Sequence, residues 1–346
     1  PGESKLNFSA DYGDLPIGKF SSTGKIGGYF WLRPEAPMST SLSTRGCRAN
    51  CTFCSVANFN GRGTRSRSIS AVVDEMEREV KDYGIKHFMW LDDDLFRPNH
   101  AIDLFNEITQ RKLDITWDAS NGVIASASTP EVIDAAAKSG CIGLTFGIES
   151  GDPDILKSVK KPSGVKHFMA VGQIMKGYPH IFNKGYLMIG FPDETVAQIQ
   201  RTIDLALEIG LDWYTTTIVS YLGNTEMTRK LIMAGKMDES GVLYSRYASS
   251  VGGGQRKKEK NERSVSSFSP DLLDLADPDR VPLEHELSDI WFIMDYRINF
   301  QRILGESNPI KLAMKRLLLR DICDRAPNHI AMASLFLGVV NKKLGN

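Results

Sequence analysis

Three of the chain's five cysteines fall within eight positions, in the run Arg45-Gly46-Cys47-Arg48-Ala49-Asn50-Cys51-Thr52-Phe53-Cys54. Thiolates at this Cys-x3-Cys-x2-Cys spacing can each take one iron of a cubane cluster, and three of them leave the fourth iron without a ligand from the chain. That open position could accept the amino and carboxylate groups of a methionine moiety, setting a sulfonium beside a strong one-electron reductant. Two other uses of the cysteines stay open at this point. A tetrahedral zinc site needs a fourth Cys or His at short spacing, and the nearest histidine downstream is His87. An electron-transfer cluster would need completion by Cys141 or Cys323, although small buried hydrophobes are the plainer reading of both.

Chemistry of this kind needs the loop held at one end of a rigid scaffold. From about Met38 to Ala234, short β-rich runs alternate with amphipathic helical patterns, the order expected of a parallel sheet with helices outside. The predicted strands are Met38–Thr44, Lys86–Leu91, Ile115–Ala119, Ile142–Ile148, Lys184–Ile189 and Trp213–Val219. Between the first two, Ile69, Val72, Val73, Met76, Val80 and Tyr83 recur at helical spacing, with Ser70 as the expected cap and Gly84 as the stop. Thr129 before Pro130 starts a helix that stops near Gly140, and Thr195 opens another that stops at Gly210. Six such units predict an α/β fold, a partial (β/α)6 barrel rather than a closed eight-strand one. The cysteine loop follows the first strand, and in such architectures the loops after the strands' C-terminal ends form the active face.

Residues 1–37 read as an N-terminal linker segment, 38–236 as the core, and 237–346 as a loop with a helical extension. Ser249 to Pro270, with Gly252, Gly253, Gly254 and a charged run, reads as a long loop or linker. Farther on, Ile290, Trp291, Met294 and Ile298 share one helical face, and Leu312, Leu317 to Leu319 and Ile322 form another stripe. Trp291, Phe292, Tyr296 and Phe300 either pack the core of that extension or wall a substrate cavity.

Lys plus Arg and Asp plus Glu both total 42, so the formal net charge is zero. No field of one sign draws such a chain to nucleic acid or an anionic membrane, and a small or neutral substrate suits it. The basic run Arg256, Lys257, Lys258, Lys260 has no interleaved aromatics and reads as a solvated loop rather than an RNA site. No signal peptide is evident, and the apolar stretch Ile330 to Val340 falls short of the ~20 residues a membrane span needs. Few cysteines, crowded together, point to a reducing compartment, and the expected location is the cytoplasm. Pro1 is not an initiator methionine, so the chain reads as part of a longer one.

The cysteine loop, its place after the first strand and several motifs downstream resemble the radical S-adenosylmethionine superfamily over roughly Met38 to Ala234. Within it, the chain is most similar to the branch that often carries an upstream cobalamin-binding domain, with methylthiotransferases as more distant relatives. Phe88 to Phe96 resembles that branch's strand-two motif ending in Asp-Asp-x-Phe, with Asp93 and Asp94 as the pair; the resemblance implies that backbone here receives the amino group of the cosubstrate's methionine. A helix-capping acidic turn before Pro98 is the other reading. Thr145 to Gly151 resembles the strand-four signature, which implies that Glu149 holds the ribose or methionine of S-adenosylmethionine. Lys161 closes a Leu-x-x-x-x-Lys pattern and reaches the cosubstrate if the resemblance holds, or lies at a solvated helix end if it does not. Gly185 to Thr195 is similar to a strand-five motif ending in Gly-x-Pro-x-Glu-Thr, whose backbone at Gly190 packs against adenine, and Phe53 occupies the aromatic position whose backbone contacts adenine. Asn121 and Gly122 resemble the Asn-Gly turn after strand three, although Val123 and Ile124 stand where many relatives carry an arginine.

The resemblance implies a [4Fe-4S] cluster on Cys47, Cys51 and Cys54, and S-adenosylmethionine as cosubstrate, reductively cleaved to a 5'-deoxyadenosyl radical. It implies methylation, cyclisation or rearrangement of a small-molecule substrate, with an external one-electron donor such as flavodoxin or ferredoxin. None of the six histidines sits in the Asp-x-His-x-x-Gly motif of cobalamin domains. Cobalamin is therefore expected only from a domain outside this chain, and Asp14-Leu15-Pro16 resembles the linker that follows such a domain. A radical methylthiotransferase of tRNA or protein would normally bring a second cysteine trio, whereas only two cysteines are spare. A non-catalytic metal-binding module is the remaining alternative.

Overall fold

The computed structural model describes residues 28–242, 277–325 and 330–345, with Asn7, residues 15–17 and Lys19. The predicted linker Ser249 to Pro270, its basic run and Asp14 lie outside the described residues. Six parallel strands run in sequential order: β1 (Met38–Ser41), β4 (His87–Trp90), β5 (Thr116–Val123), β6 (Cys141–Glu149), β7 (Phe182–Ile189) and β8 (Trp213–Ile218). The helices between them are those expected of an open (β/α)6 barrel. They include α1 (Val56–Asn60), α2 (Ile69–Tyr83), α3 (His100–Gln110), α4 (Pro130–Lys138), α5 (Pro153–Ser158), α6 (Val165–Met175), α7 (Val196–Ile209) and α8 (Glu226–Met233). Alternate residues of each strand point outward and bury Phe88, Trp90, Trp117, Leu144, Phe146 and Ile148 against helical Val72, Met76, Phe105 and Ile203.

Several predicted boundaries move, each for a local reason. The first strand was expected to run to Thr44, but β1 ends at Ser41, and Thr44–Arg45 becomes a separate strand, β2, paired antiparallel with β3 (Arg65–Ser66). The cause is Asp92, whose buried carboxylate accepts from the backbone N–H and the hydroxyl of both Ser43 and Thr44, at 2.6–3.1 Å, and turns the chain there. Helix α2 has Ser68 rather than Ser70 at its N-cap position, without a capping bond from the side chain; Ser70 lies inside the first turn, and the helix does stop at a left-handed Gly84. Thr195 opens α7 with a capping box to Gln198, and left-handed Gly210 closes it. Asn121 and Gly122 are not a turn after a strand: β5 continues to Val123, and the pair sits in an irregular stretch where the register to β6 slips.

Inside the barrel, the strands' N-terminal ends are closed by the segment Gly28 to Leu32. Tyr29 is fully buried over Gly143, where a Cβ would come within 2.6 Å of its ring, and its hydroxyl donates to the Leu144 carbonyl at 2.5 Å. Above it lie His87, paired with Asp118 at 2.9 Å, and Lys184, whose ammonium sits 4.3 Å from the Tyr29 ring centroid and is pushed down to about 8 by burial. Helices α9 (Leu287–Asp295), α10 (Pro309–Arg325) and α11 (Ile330–Lys343) form the predicted helical extension. Trp291 donates its indole N–H to the Thr216 carbonyl at 2.7 Å, and Phe300 packs on Trp213 and Phe336, so these two aromatics serve packing. Phe292 and Tyr296 stay partly exposed. Among the described residues, no helix is long and apolar enough to cross a membrane.

Candidate active site

The loop bearing Cys47, Cys51 and Cys54 leaves the C-terminal side of β1 and is fastened on three sides. Thr52 gives its N–H to the Val159 carbonyl at 3.0 Å, just beyond α5, and accepts at its own carbonyl from Met227 of α8 at 2.9 Å. Arg48 reaches back to buried Asp94 at 3.1 Å and to the Phe96 carbonyl. Gly46 has φ +83°, and a Cβ there would lie 2.3 Å from the Gly63 carbonyl oxygen, so the loop before β3 presses directly on the residue preceding Cys47.

The three thiols are half-buried. Burial pushes Cys47 up to about 11 and Cys51 up to about 12, and each thiol is raised further by others of the trio. Among the described residues, no three Cys, His, Asp or Glu side chains converge where a single ion could sit, the arrangement tetrahedral zinc requires. A cubane instead takes one thiolate per iron. The candidates to complete either site are elsewhere: His87 is fully buried between Thr116 and Asp118, and Cys141 begins β6, at the opposite end of the strands from the loop. Cys323 packs with the cluster around Phe182 and Trp213, also at the strands' N-terminal ends. The donor set is thus three thiols in one loop, which suits a cluster with one iron left to an outside chelator.

Beside this trio lies a buried ion pair. Glu149 ends β6 with φ +68°, a strained conformation for a non-glycine residue, and its carboxylate accepts from Lys161 Nζ at 2.7 Å. The two side chains are 10% and 8% exposed, so Lys161 is not a solvated helix end. Glu149 and the thiols Cys51 and Cys54 together hold the Lys161 ammonium above its ordinary range against the opposing effect of burial. Gly147, one inward position before Glu149, leaves room for this pair: a Cβ there would lie 2.8 Å from Lys161 Nζ. Neighbouring Lys160 bonds Glu226 of α8 at 2.7 Å, so the turn after α5 is held from both sides.

Phe53 meets Phe191 edge-on at 6.3 Å and joins an apolar cluster with Ile155, Val159, Val219 and Met227. The cysteine loop and the end of β7 are thereby brought together. Gly190 has φ +80°, and the group nearest its absent Cβ is Leu287 Cδ1 of α9 at 2.8 Å. Its N–H donates to Glu194 Oε2 at 2.6 Å, as does that of Phe191 at 3.1 Å. Burial pushes Glu194 up to about 8, and its other oxygen finds no hydrogen-bond partner among the described residues. Asp93 and Asp94 diverge: Asp93 accepts from Asn60 at 2.7 Å, while Asp94 turns inward to Arg48 and Thr64. Neither caps α3, which starts at His100 after Asn99. Asn121 is exposed at the strand end, and beneath it Tyr186 donates its hydroxyl to the Ser120 carbonyl at 2.6 Å. Inward-facing Tyr186, Met188, Thr215 and Thr217 near the strands' C-terminal ends remain partly or wholly accessible, and this side of the barrel's mouth is lined by uncharged side chains.

Sequence reasoning passed over Asp92, Arg48, Glu194 and Gly147. Asp92 is the first of three consecutive acids and nothing in composition separates them. Burial does: Asp92 and Asp94 are 3% and 1% exposed, and burial pushes Asp92 up to about 6 despite four hydrogen bonds.

Comparison with known proteins agrees with this geometry. The profile of the Radical SAM superfamily matches residues 41–206. An uncharacterized methyltransferase of Pyrococcus horikoshii is 31% identical over 217 residues, 62% of this chain and 44% of that protein. Cytidylyl-2-hydroxyethylphosphonate methyltransferase of Streptomyces wedmorensis is 31% identical over 213 residues, 58% of this chain and 39% of that protein. The chain thus spans less than half the length of either relative. Among solved structures, the radical S-adenosylmethionine methyltransferase TsrM from Kitasatospora setae, with cobalamin and a [4Fe-4S] cluster bound, has the same fold. It superposes with a TM-score of 0.57 over 89% of this chain and 61% of that one, at 17% identity.

Proposed function

Because the chain belongs to the radical SAM superfamily, we propose that it is the catalytic core of a cobalamin-dependent radical methyltransferase acting on a small molecule. The observation that carries this reading is the set of three thiols in one loop, beside a buried Lys161–Glu149 pair at the mouth of the barrel. When bound, the cluster supplies one electron to the sulfonium of S-adenosylmethionine, the cleavage by which this superfamily makes a 5'-deoxyadenosyl radical.

The chain's own residues do the holding. Cys47, Cys51 and Cys54 ligate the cluster, and Glu149, oriented by Lys161, accepts hydrogen bonds from the ribose or methionine part of the cosubstrate. Phe53 and Gly190 offer backbone to the adenine, in a pocket whose apolar side is the Phe191, Val219 and Met227 cluster. The strand end at Asp93 and Asp94 receives the methionine amino group, and Asn121, exposed near the end of β5, belongs to the same cofactor-binding set. The accessible Thr215, Thr217 and Tyr186 suit an uncharged, hydrogen-bonding substrate. The core comprises 38–236, with 1–37 a linker and 237–346 the extension. Cobalamin is bound by a domain outside this chain, a low-potential flavodoxin or ferredoxin delivers the electron, and the enzyme works in the cytoplasm. The methylthiotransferase reading is not favoured, since the relatives at 31% identity are methyltransferases.

Anaerobic reconstitution followed by dithionite and S-adenosylmethionine tests the reading. It should yield 5'-deoxyadenosine, detected by mass spectrometry, and Cys54→Ala should abolish both the cluster absorbance and the product. A fully loaded chain that yields no 5'-deoxyadenosine overturns it.

A further inference from the structure

The chain is neutral overall, yet the stretch between Glu35 and Asp74 contains five arginines and no lysine, aspartate or glutamate. Its fold gathers that charge around the cysteine loop. Arg45 and Arg65 are register partners across the β2–β3 ribbon, two like charges placed directly opposite, an arrangement that destabilises an isolated ribbon. Neither forms an ion pair among the described residues; Arg65 donates only to the Asn60 carbonyl. Arg62, at the exposed tip between them and α1, also lacks a carboxylate partner among those residues. Of the acids close by, Asp94 is paired with Arg48, while Asp93 accepts from the neutral Asn60 amide and is one acid against these three arginines. On α1, five residues after Cys54 and three before Arg62, Phe59 is 80% exposed.

We infer that the face made by Arg45, Phe59, Arg62 and Arg65 is the docking site of an acidic one-electron donor protein. The inference rests on the function proposed above. Three observations single out such a partner. Like charges placed opposite each other across the ribbon are relieved by an anionic surface, and an exposed aromatic beside arginines in the same short stretch of chain has the composition of an interface centre. Above all, the patch adjoins the loop that holds Cys47, Cys51 and Cys54, since Gly46 is pressed against the Gly61–Gly63 turn, so a protein seated there would sit next to that loop. The transfer moves one electron: the donor is oxidised by one, the cluster on the three cysteines is reduced by one, and no bond or proton changes hands. A second copy of this chain brings the same positive charge and is disfavoured by it.

Association of the reconstituted protein with oxidised flavodoxin, and separately with ferredoxin, is to be measured anaerobically by calorimetry at two salt concentrations. Arg62→Glu and Phe59→Ser are compared with the wild type at matched cluster content and thermal midpoint. At least one donor should bind, more weakly in higher salt, and each substitution should weaken it about tenfold, as charge reversal or loss of an aromatic anchor does at an interface. No binding by either donor, equal affinity for the variants, or burial of Phe59 in a dimer of this chain overturns the docking site. RNA that competes for the face with higher affinity does so as well. Dithionite-driven formation of 5'-deoxyadenosine reports on the function separately: its loss in the wild type with variant-sensitive donor binding intact sinks the proposed reaction, not the surface.

Discussion

At the scale of single residues, the site is governed by carboxylates whose surroundings differ more than their sequence context suggests. Glu149 and Glu194 both close inward turns at strand ends, yet one is paired with an ammonium and the other faces only two backbone N–H groups. Burial therefore wins at Glu194 and pushes it up to about 8. A carboxyl whose folded pKa lies above its unfolded value is protonated in the native state while the unfolded chain has already ionised. Its contribution to stability is complete below the unfolded pKa and is lost as pH rises toward 8. Asp92 and Asp295, pushed up to about 6, complete the same loss earlier, and Lys184 acts only above about 8, so Glu194 dominates between pH 6 and 8 among these groups. Glu194→Gln should flatten the fall of the thermal midpoint over that window, where one such proton is worth about 1.4 kcal/mol per pH unit at most. Parallel slopes for variant and wild type in thermal scans would show that Glu194 ionises in the native state as it does in the unfolded chain.

At the scale of elements, the cysteine loop is less a loop than a seam between four pieces of the fold. Val159 after α5, Met227 of α8, Asp92 and Asp94 after β4, and the Gly61–Gly63 turn all hold it. The tightest of these contacts is at Gly46, where left-handed backbone and a neighbouring carbonyl both exclude a side chain. Gly46→Ala should cost about 2–4 kcal/mol, from strain and from displacing the turn, and should lower the iron bound per chain on reconstitution. Gly63→Ala is the control: its φ is +78° but nothing lies within 4 Å of the added Cβ, so it should pay only the conformational cost of about 1–2 kcal/mol and keep its iron. Equal iron loading in the two variants would mean that the turn does not position the cysteines. The periodicity of apolar residues made most of these elements legible, α2 and α7 above all, because a helix buries one stripe whatever it packs on. The end of β1 was not legible, because the group that turns the chain at Ser43 and Thr44 is a carboxylate 48 residues away.

At the scale of the whole molecule, the barrel is open, and its last strand needs cover. Asn299, beyond α9, accepts from the Tyr214 N–H at 2.7 Å and donates to the Tyr214 carbonyl at 2.8 Å, so a side chain takes the place of a seventh strand on β8. The same amide donates to Asp295 at 2.7 Å. Asn299→Ala leaves both backbone groups of a fully buried residue unpaired and should cost about 3 kcal/mol or more. The urea midpoint reports this loss, and a change below about 0.5 kcal/mol would show that water reaches the strand edge. The extension is therefore part of what keeps the barrel's mouth in shape, since Leu287 of α9 also rests on Gly190 at the end of β7.

From residue types and spacing alone came the order of strands and helices, the open six-unit barrel and the three thiols short of a fourth ligand, because each rests on local periodicity or on neighbours within ten positions. Tertiary structure alone decided which two of three consecutive aspartates are buried, that Lys161 meets Glu149, and that Asn299 covers an edge strand. Those outcomes depend on which atoms lose water together, and desolvation is settled by contacts between segments that the chain order does not place side by side.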